Sequence, residues 1–329
     1  MSLVAPTLQS FFTDRLLRQR QVSPRTIVAY RDSLRLLLTW VHDTKRIQPH
    51  RLDWADLDAG TITAFLDHLE QERNNTARTR NLRLTAIRSL FSYASLAHPE
   101  HAELIRRMLA IPPKRFDRPE ITFLTQAQLA CLLAAPDRNR WEGRRDRAML
   151  ALTAQAGLRV SELTSLNNGD ITLGDGANVR CLGKGRKHRA VPLNTATRTV
   201  VSGWLIERGG LREEPLFPTR TGRRLSPDAV ERLVAKHART AATRDPSFPA
   251  DRVHPHVLRH TCAMNLLHNG VDTAVIALWL GHADIRSTAT YLHADMTIKE
   301  QALQRMATTD LPAGRYQPSD KLLAFLDSL

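Results

Sequence analysis

Cysteine is scarce in this chain. Its three residues, Cys131, Cys181 and Cys262, are spread over 329 positions and form no CxxC pair. That excludes a disulfide framework and a thiolate zinc site, and leaves buried free thiols as the expectation. No apolar run approaches the ~20 residues that a membrane span needs. The N-terminal stretch MSLVAPTLQSFFTDRLLRQR lacks the basic start, long apolar block and small-residue cleavage site of a secretory signal, so a soluble, cytoplasmic protein with no membrane partner is expected. Acidic residues are also in deficit, 33 against 47 basic ones, for a net charge of +14 and a pI near 10.6. The excess is +6 over residues 1–120 and +8 beyond, so both halves are basic. Such a balance favours a polyanionic partner, most simply nucleic acid. Only 7 of the 47 basic residues are lysine, and an arginine excess of that kind also arises from GC-rich coding.

With 42% hydrophobic residues and this length, the chain can build two packed domains. Residues 1–110 read as helical. Thr7 to Gln19 is a short amphipathic segment. Ser23-Pro24 looks like an N-cap with proline at the first helical position, followed by Ile27, Tyr30, Leu34, Leu37, Leu38 and Val41 at helical spacing. Further helices are predicted at about Thr61–Arg73, Thr76–Leu96 and Ala102–Leu109. Arg78, Arg80, Arg83 and Arg88 interleave with leucines on the helix from Thr76, where they suit either phosphate contacts or a solvated face. IPPKRFDRPE (111–120) reads as a linker. Beyond it, Thr125–Gln128 fits a capping box. Helices are expected at about Arg144–Ala156, with Gly157 as its stop, and at Val160–Leu166. The period then shifts, and Asn178–Leu182 and Arg189–Leu193 form a hairpin around GKGRK. Helices return at about Thr195–Arg208, Pro227–Thr243, Pro255–Asn269, Asp272–Leu280 and Ser287–His293. KLLAFLDSL (321–329) closes the chain with an apolar stripe.

Five fragments of the second half concentrate chemistry: AGLRVSEL (156–163), GKGRKHR (183–189), HVLRH (256–260), LGH (280–282) and STATYLH (287–293). Breaking a phosphodiester without metal or water requires fixed cations where negative charge develops, and guanidinium forks match phosphate oxygens; Arg159 and Arg259 are the candidates. An imidazole can donate to the phosphate or shuttle a proton near neutral pH, which His256 and His282 offer. A phenol can act as nucleophile once cations and a base assist it. Lys184, at the hairpin tip, could protonate the leaving oxygen, and Lys187 is its neighbour. Each residue has a plainer reading. Arg159 could be a helix-end surface cation. His256 and His260, four apart, could ligate zinc, but no glutamate follows His256 as a metalloprotease would require. His260 could support the site from beneath, and His254 and His293 could be solvated or capping residues. Gly183-Lys184-Gly185 is too short for a nucleotide-binding loop, so no ATP or other cofactor is implied. Tyr30 and Tyr93 fit a helical core, and Tyr316 has no histidine-rich surroundings.

In that order, Arg, Lys, His-x-x-Arg, His and Tyr resemble the tyrosine recombinases, the phage integrase family. GLRVSEL is similar to the family's first arginine motif, HVLRHTCAMNLL to its His-x-Leu-Arg-His-Thr motif, and LGHADIRSTATYLH to its Leu-Gly-His motif with the nucleophile nine residues on. The resemblance covers about 121–300 and extends more weakly to the N-terminal segment, which resembles the core-binding domain. It implies a mainly α-helical protein with a small β-hairpin or sheet. A helical core-binding domain (1–110) and a linker (111–120) would precede a mostly helical catalytic domain (121–310) and a tail helix (311–329), packed on its own domain or, as the resemblance favours, docked on a neighbouring subunit. It implies Tyr291 as the nucleophile that forms a 3′-phosphotyrosyl bond. Arg159, Arg259 and His282 would hold the scissile phosphate, His256 would transfer protons and Lys184 would be the general acid, with neither metal nor cofactor. The partners would be double-stranded DNA and three further protomers or related recombinases. A type IB topoisomerase, with similar chemistry on single duplexes, and a non-catalytic DNA-binding regulator are the alternatives.

Overall fold

The computed structural model describes residues 3–117, 121–183 and 188–282, together with Thr288 and Tyr291. The chain divides into two compact units, residues 1–119 and 120–329.

The first unit is helical. Helix α1 (Val4–Ser10) continues into a wider π-type helix over Phe11–Gln19. Helix α2 (Pro24–Lys45) begins as its sequence predicts: Ser23 accepts from the Thr26 N–H and Pro24 occupies the first turn. Helices α3 (Ala59–Gln71), α4 (Ala77–Ala97) and α5 (Ala102–Leu109) follow, with Asp58 and Thr76 capping α3 and α4. Their apolar faces meet around Phe11, Leu37, Trp54, Phe65, Leu66, Ile87 and Phe91. Residues 111–117 form no regular element, as the prolines dictate. They are nonetheless held: Lys114 exchanges backbone hydrogen bonds with the Asn81 side chain and reaches Glu70 at 2.6 Å.

The second unit is mixed but mostly helical. Thr125 and Gln128 close the anticipated capping box on α6 (Gln126–Ala134). Helix α7 (Trp141–Ala156) is buried on nearly all sides from Ala148 to Ala156, and so carries no amphipathic stripe. It ends at Gly157, whose φ of +63° lies in the left-handed region; a Cβ there would sit 2.4 Å from the Leu280 side chain. Helix α8 (Val160–Ser165) leads to a sheet that is larger than the predicted hairpin. Strand β1 (Ile171–Thr172) adds a third antiparallel member beside β2 (Asn178–Leu182) and β3 (His188–Pro192). Two residues carry no readable period, which is why β1 escapes sequence reading. In the β2–β3 ladder Cys181 faces Arg189. Helices α9 (Thr195–Arg208), α10 (Pro227–Ala242), α11 (Pro255–His268) and α12 (Thr273–Leu280) complete the described elements. The main core gathers Leu152, Leu158, Val179, Val191, Trp204, Val234 and Leu258. A smaller cluster joins Cys262, Met264, Ile276, Leu280 and Tyr291. No helix among the described residues is long and apolar enough to cross a membrane.

Candidate active site

Three loops and helix ends converge where α7, α11 and α12 meet. The end of α12 is their common point. The last carbonyls of a helix lack intrahelical partners and carry the negative end of its dipole, so cations gather there. Three arginines take three successive carbonyls: Arg189 Nε donates to Trp279 (3.0 Å), Arg259 to Leu280 (2.7 Å) and Arg159 to Gly281 (3.1 Å). Gly281 makes the turn possible with φ +63°.

Arg259, on α11, is 1% exposed and also donates to the Gly157 carbonyl at 2.6 Å, tying the ends of α7 and α12 together. Two of its five N–H donors are thus engaged with carbonyls. Burial, followed by the neighbouring Arg159, lowers its pKa to about 10, and the guanidinium stays charged at neutral pH. Arg159 precedes α8. Its guanidinium donates to Glu162 Oε1 at 2.7 Å and its backbone N–H to Glu162 Oε2 at 2.8 Å. It is not the bland surface cation, for it joins a buried carboxylate to the end of α12.

Tyr291 is 4% exposed and lies among histidines. Its hydroxyl is 3.1 Å from Nδ1 of His260. The His282 ring stacks nearly parallel to the phenol (10°, centroids 6.3 Å apart), and His260 meets it edge-on. Burial pushes the Tyr291 phenol above its ordinary value, and the Arg259 charge works against that rise. Burial lowers the pKa of both His260 and His282 to about 4, helped by His256 for the former and Arg259 for the latter. Both rings are therefore neutral near pH 7. Nδ1 of His282 lies 2.7 Å from the Thr288 hydroxyl, which fixes the ring. His256 packs edge-on against His260, with centroids 4.5 Å apart. Its pKa is lowered by desolvation of the packed face and then by Arg259.

The structure thus brings Arg159, His256, Arg259, His282 and Tyr291 to one locality. Lys184 and Lys187 lie outside the described residues, as does the tail from residue 292. Two of the rival tyrosines pack against the core, Tyr30 stacked on Phe11 and Tyr93 against the same ring, and Tyr316 lies outside the described residues. His254 is exposed at the start of α11. Two residues of the site were absent from the sequence reading. Glu162, 2% exposed, and Arg189, the second residue of β3, form a bidentate ion pair. Glu162 stands in AGLRVSEL and Arg189 closes GKGRKHR, but nothing in either fragment says that they meet.

The arginines of α4 need a correction. Arg78 is exposed and free to face a phosphate. Arg80 is 4% exposed and paired with Glu70 at 3.4 Å, so it is removed from any duplex. Arg88 donates at 2.7 Å to both the Leu109 and Ile111 carbonyls, closing the end of α5 rather than presenting its fork to solvent. Arg83 is half-buried, 3.5 Å from Ser33. The helical period placed Arg80 and Arg88 toward the core, and their long stems let the charged heads find acceptors inside.

Residues 122–297 match the phage integrase family, and residues 10–98 match the phage integrase N-terminal SAM-like domain. A putative integrase/recombinase, y4rC, of Sinorhizobium fredii is 48% identical over 326 residues, covering 99% of this chain and 98% of that protein. Tyrosine recombinase XerC of Pseudomonas fluorescens is 33% identical over 289 residues, covering 86% of this chain and 90% of the relative. Among solved structures, the Tn1549 transposon integrase in complex with transposon right end DNA has the same fold. Its TM-score is 0.70 at 16% identity, over 94% of this chain and 100% of that one. The matched models, the extent of the relatives and the gathering of arginines, histidines and Tyr291 agree: the chain belongs to the phage integrase family, the tyrosine recombinases, enzymes that cut and rejoin DNA in site-specific recombination.

Proposed function

We propose that this chain cleaves a DNA strand through attack of the Tyr291 hydroxyl on the scissile phosphorus. The reaction forms a 3′-phosphotyrosyl bond and releases a 5′-hydroxyl. Attack of a 5′-hydroxyl on that bond then reseals a strand and frees the tyrosine. Because the phosphotyrosine retains the energy of the broken ester, neither metal nor nucleotide is required.

The observation that carries this reading is the setting of Tyr291, a buried phenol within 3.1 Å of a neutral imidazole and beside two arginine-anchored helix ends. The remaining N–H groups of Arg159 and Arg259 supply fixed donors for the charge that builds on the phosphate. His282 adds a third donor, held by Thr288. His256 relays protons. Lys184 protonates the departing 5′-oxygen, which is a poor leaving group otherwise. The partner is double-stranded DNA, to which the basic charge of each unit contributes. Exchange between two duplexes uses four protomers, with the tail over 311–329 docking on a neighbour.

The test is a denaturing-gel assay for a covalent protein–DNA adduct on nicked duplexes cut from the sequence that flanks the gene. Wild type is expected to form the adduct and Tyr291→Phe is expected to bind without forming it. An adduct with Tyr291→Phe would assign the nucleophile elsewhere.

A further inference from the structure

Arg189 takes no part in the reaction just described, yet all three of its guanidinium nitrogens are hydrogen-bonded. Only 10% exposed, it lays its fork across Glu162, with Nη1 to Oε1 and Nη2 to Oε2 both at 2.9 Å. Its remaining Nε donates to the Trp279 carbonyl at 3.0 Å. Glu162 in turn accepts four N–H groups, two from Arg189 and two from Arg159. Burial pushes its carboxyl up, but hydrogen bonds from Arg189 and from the Arg159 backbone outweigh that and hold it below the usual range. The space for Arg189 is kept by Gly281: a Cβ there would stand 2.8 Å from Nη1 and 3.1 Å from Cδ of the arginine.

Strand β3, the start of α8 and the end of α12 therefore meet through one guanidinium. We infer that Arg189 is a positioning residue for strand cleavage: through Glu162 it fixes the guanidinium of Arg159, and through the Trp279 carbonyl it fixes the end of α12 from which His282 follows. A lysine could not do this, because a point charge on a flexible stem cannot span both carboxylate oxygens and a carbonyl at once. The inference rests on the reading of Arg159 and His282 as phosphate-holding groups. Groups that meet a developing charge lose on the order of 100-fold in rate when misplaced by ~1 Å, while binding that is made elsewhere along the duplex is unaffected.

The experiment uses a nicked duplex that the wild-type full chain converts to adduct, and compares single-turnover cleavage, duplex affinity and melting temperature. Arg189→Met is expected to cleave about 100-fold more slowly with affinity within about threefold of wild type. It should also melt at a lower temperature, since Glu162 is left buried without its main partner. Adding Glu162→Gln removes that stranded charge. The double variant is expected to recover melting temperature while cleaving as slowly as Arg189→Met. Recovery of rate together with melting temperature would mean that Arg189 acts only on stability, and the inference would fall. It would equally fall if Arg189→Met cleaved within about threefold of wild type. If Arg189→Met does not fold, Arg189→Lys decides: it is expected to be at least about tenfold slower, and a wild-type rate overturns the proposal. Arg159→Ala runs alongside. Normal cleavage by that variant sinks the assignment of Arg159, whereas an inactive Arg159→Ala beside a fully active Arg189→Met sinks only the inference about Arg189.

Discussion

Both units of this protein close a helix with arginine, and they do so to different ends. In the N-terminal unit Arg88 donates to the carbonyl of Leu109, the last residue of α5, and to that of Ile111 just beyond it. In the second unit Arg259 does the same for the ends of α7 and α12. Locally the two devices are alike: a guanidinium replaces the missing partners of terminal carbonyls and complements the helix dipole. What differs is the company. Around Arg88 there are helix packing contacts and the backbone of residues 109–111. Around Arg259 stand Arg159, three histidines of lowered pKa and a buried tyrosine. An arginine bound to a helix end is therefore not a mark of function by itself. A site arises where such an arginine meets titratable groups that a third element delivers.

Substitutions in the two units put that contrast to the test. The largest effect is expected from Tyr291→Phe, which should abolish the covalent adduct in a denaturing gel while leaving duplex affinity within about threefold, since the phenol ring and its packing are retained. Arg259→Lys should slow cleavage by roughly 100- to 1,000-fold in a single-turnover assay, because one ammonium cannot bond two carbonyls and a phosphate. Arg88→Ala is the matched control. It should cost about 1–3 kcal/mol in urea unfolding, yet leave the cleavage rate per folded molecule unchanged. Equal rate losses in the two variants would erase the distinction drawn between the two units.

Acidity probes the second unit. His260 and His282 have folded pKa values of about 4 against an ordinary 6.5. The unfolded chain binds more protons than the folded one between those values, so this contribution to stability is full above about pH 6.5 and is lost as pH falls toward about 4. Melting temperature should decline across that window, and His260→Phe should flatten the decline; an unchanged slope would contradict a neutral, buried His260. The smallest effect is expected at Arg78. Its replacement by alanine should weaken duplex binding a few-fold and lower the salt slope by about one, whereas Arg80→Ala should act on unfolding. A loss of salt slope with Arg80→Ala would contradict its burial against Glu70.

Much of the site could be read from the chain before any fold was known. Arg159, His256, Arg259, His282 and Tyr291 stand in short fragments whose residue types suit phosphate chemistry. Each also sits at a place that local rules predict, such as the proline-led start of α11 and the glycine stops after α7 and α12. The same local rules explain the errors. Arg80 and Arg88 look like a basic face because composition says nothing about where a long stem leads. Strand β1 has two residues and no period. Glu162 and Arg189 are 27 positions apart and belong to different kinds of element, so neither a spacing nor a motif joins them.

By itself, then, the chain's order of residues was enough for the family, the helical character of both units, most caps and stops, and the residue types that Arg159, His256, Arg259, His282 and Tyr291 bring to the candidate site. Those follow from interactions within a few residues of chain, where backbone geometry and side-chain type are enough. Tertiary structure alone decided which arginines face inward, that three of them share the end of α12, and that Glu162 with Arg189 holds Arg159 in place. Those outcomes depend on contacts between distant segments, and a buried charge takes whichever partner the packing brings within reach, because leaving it unpaired in the interior costs several kcal/mol.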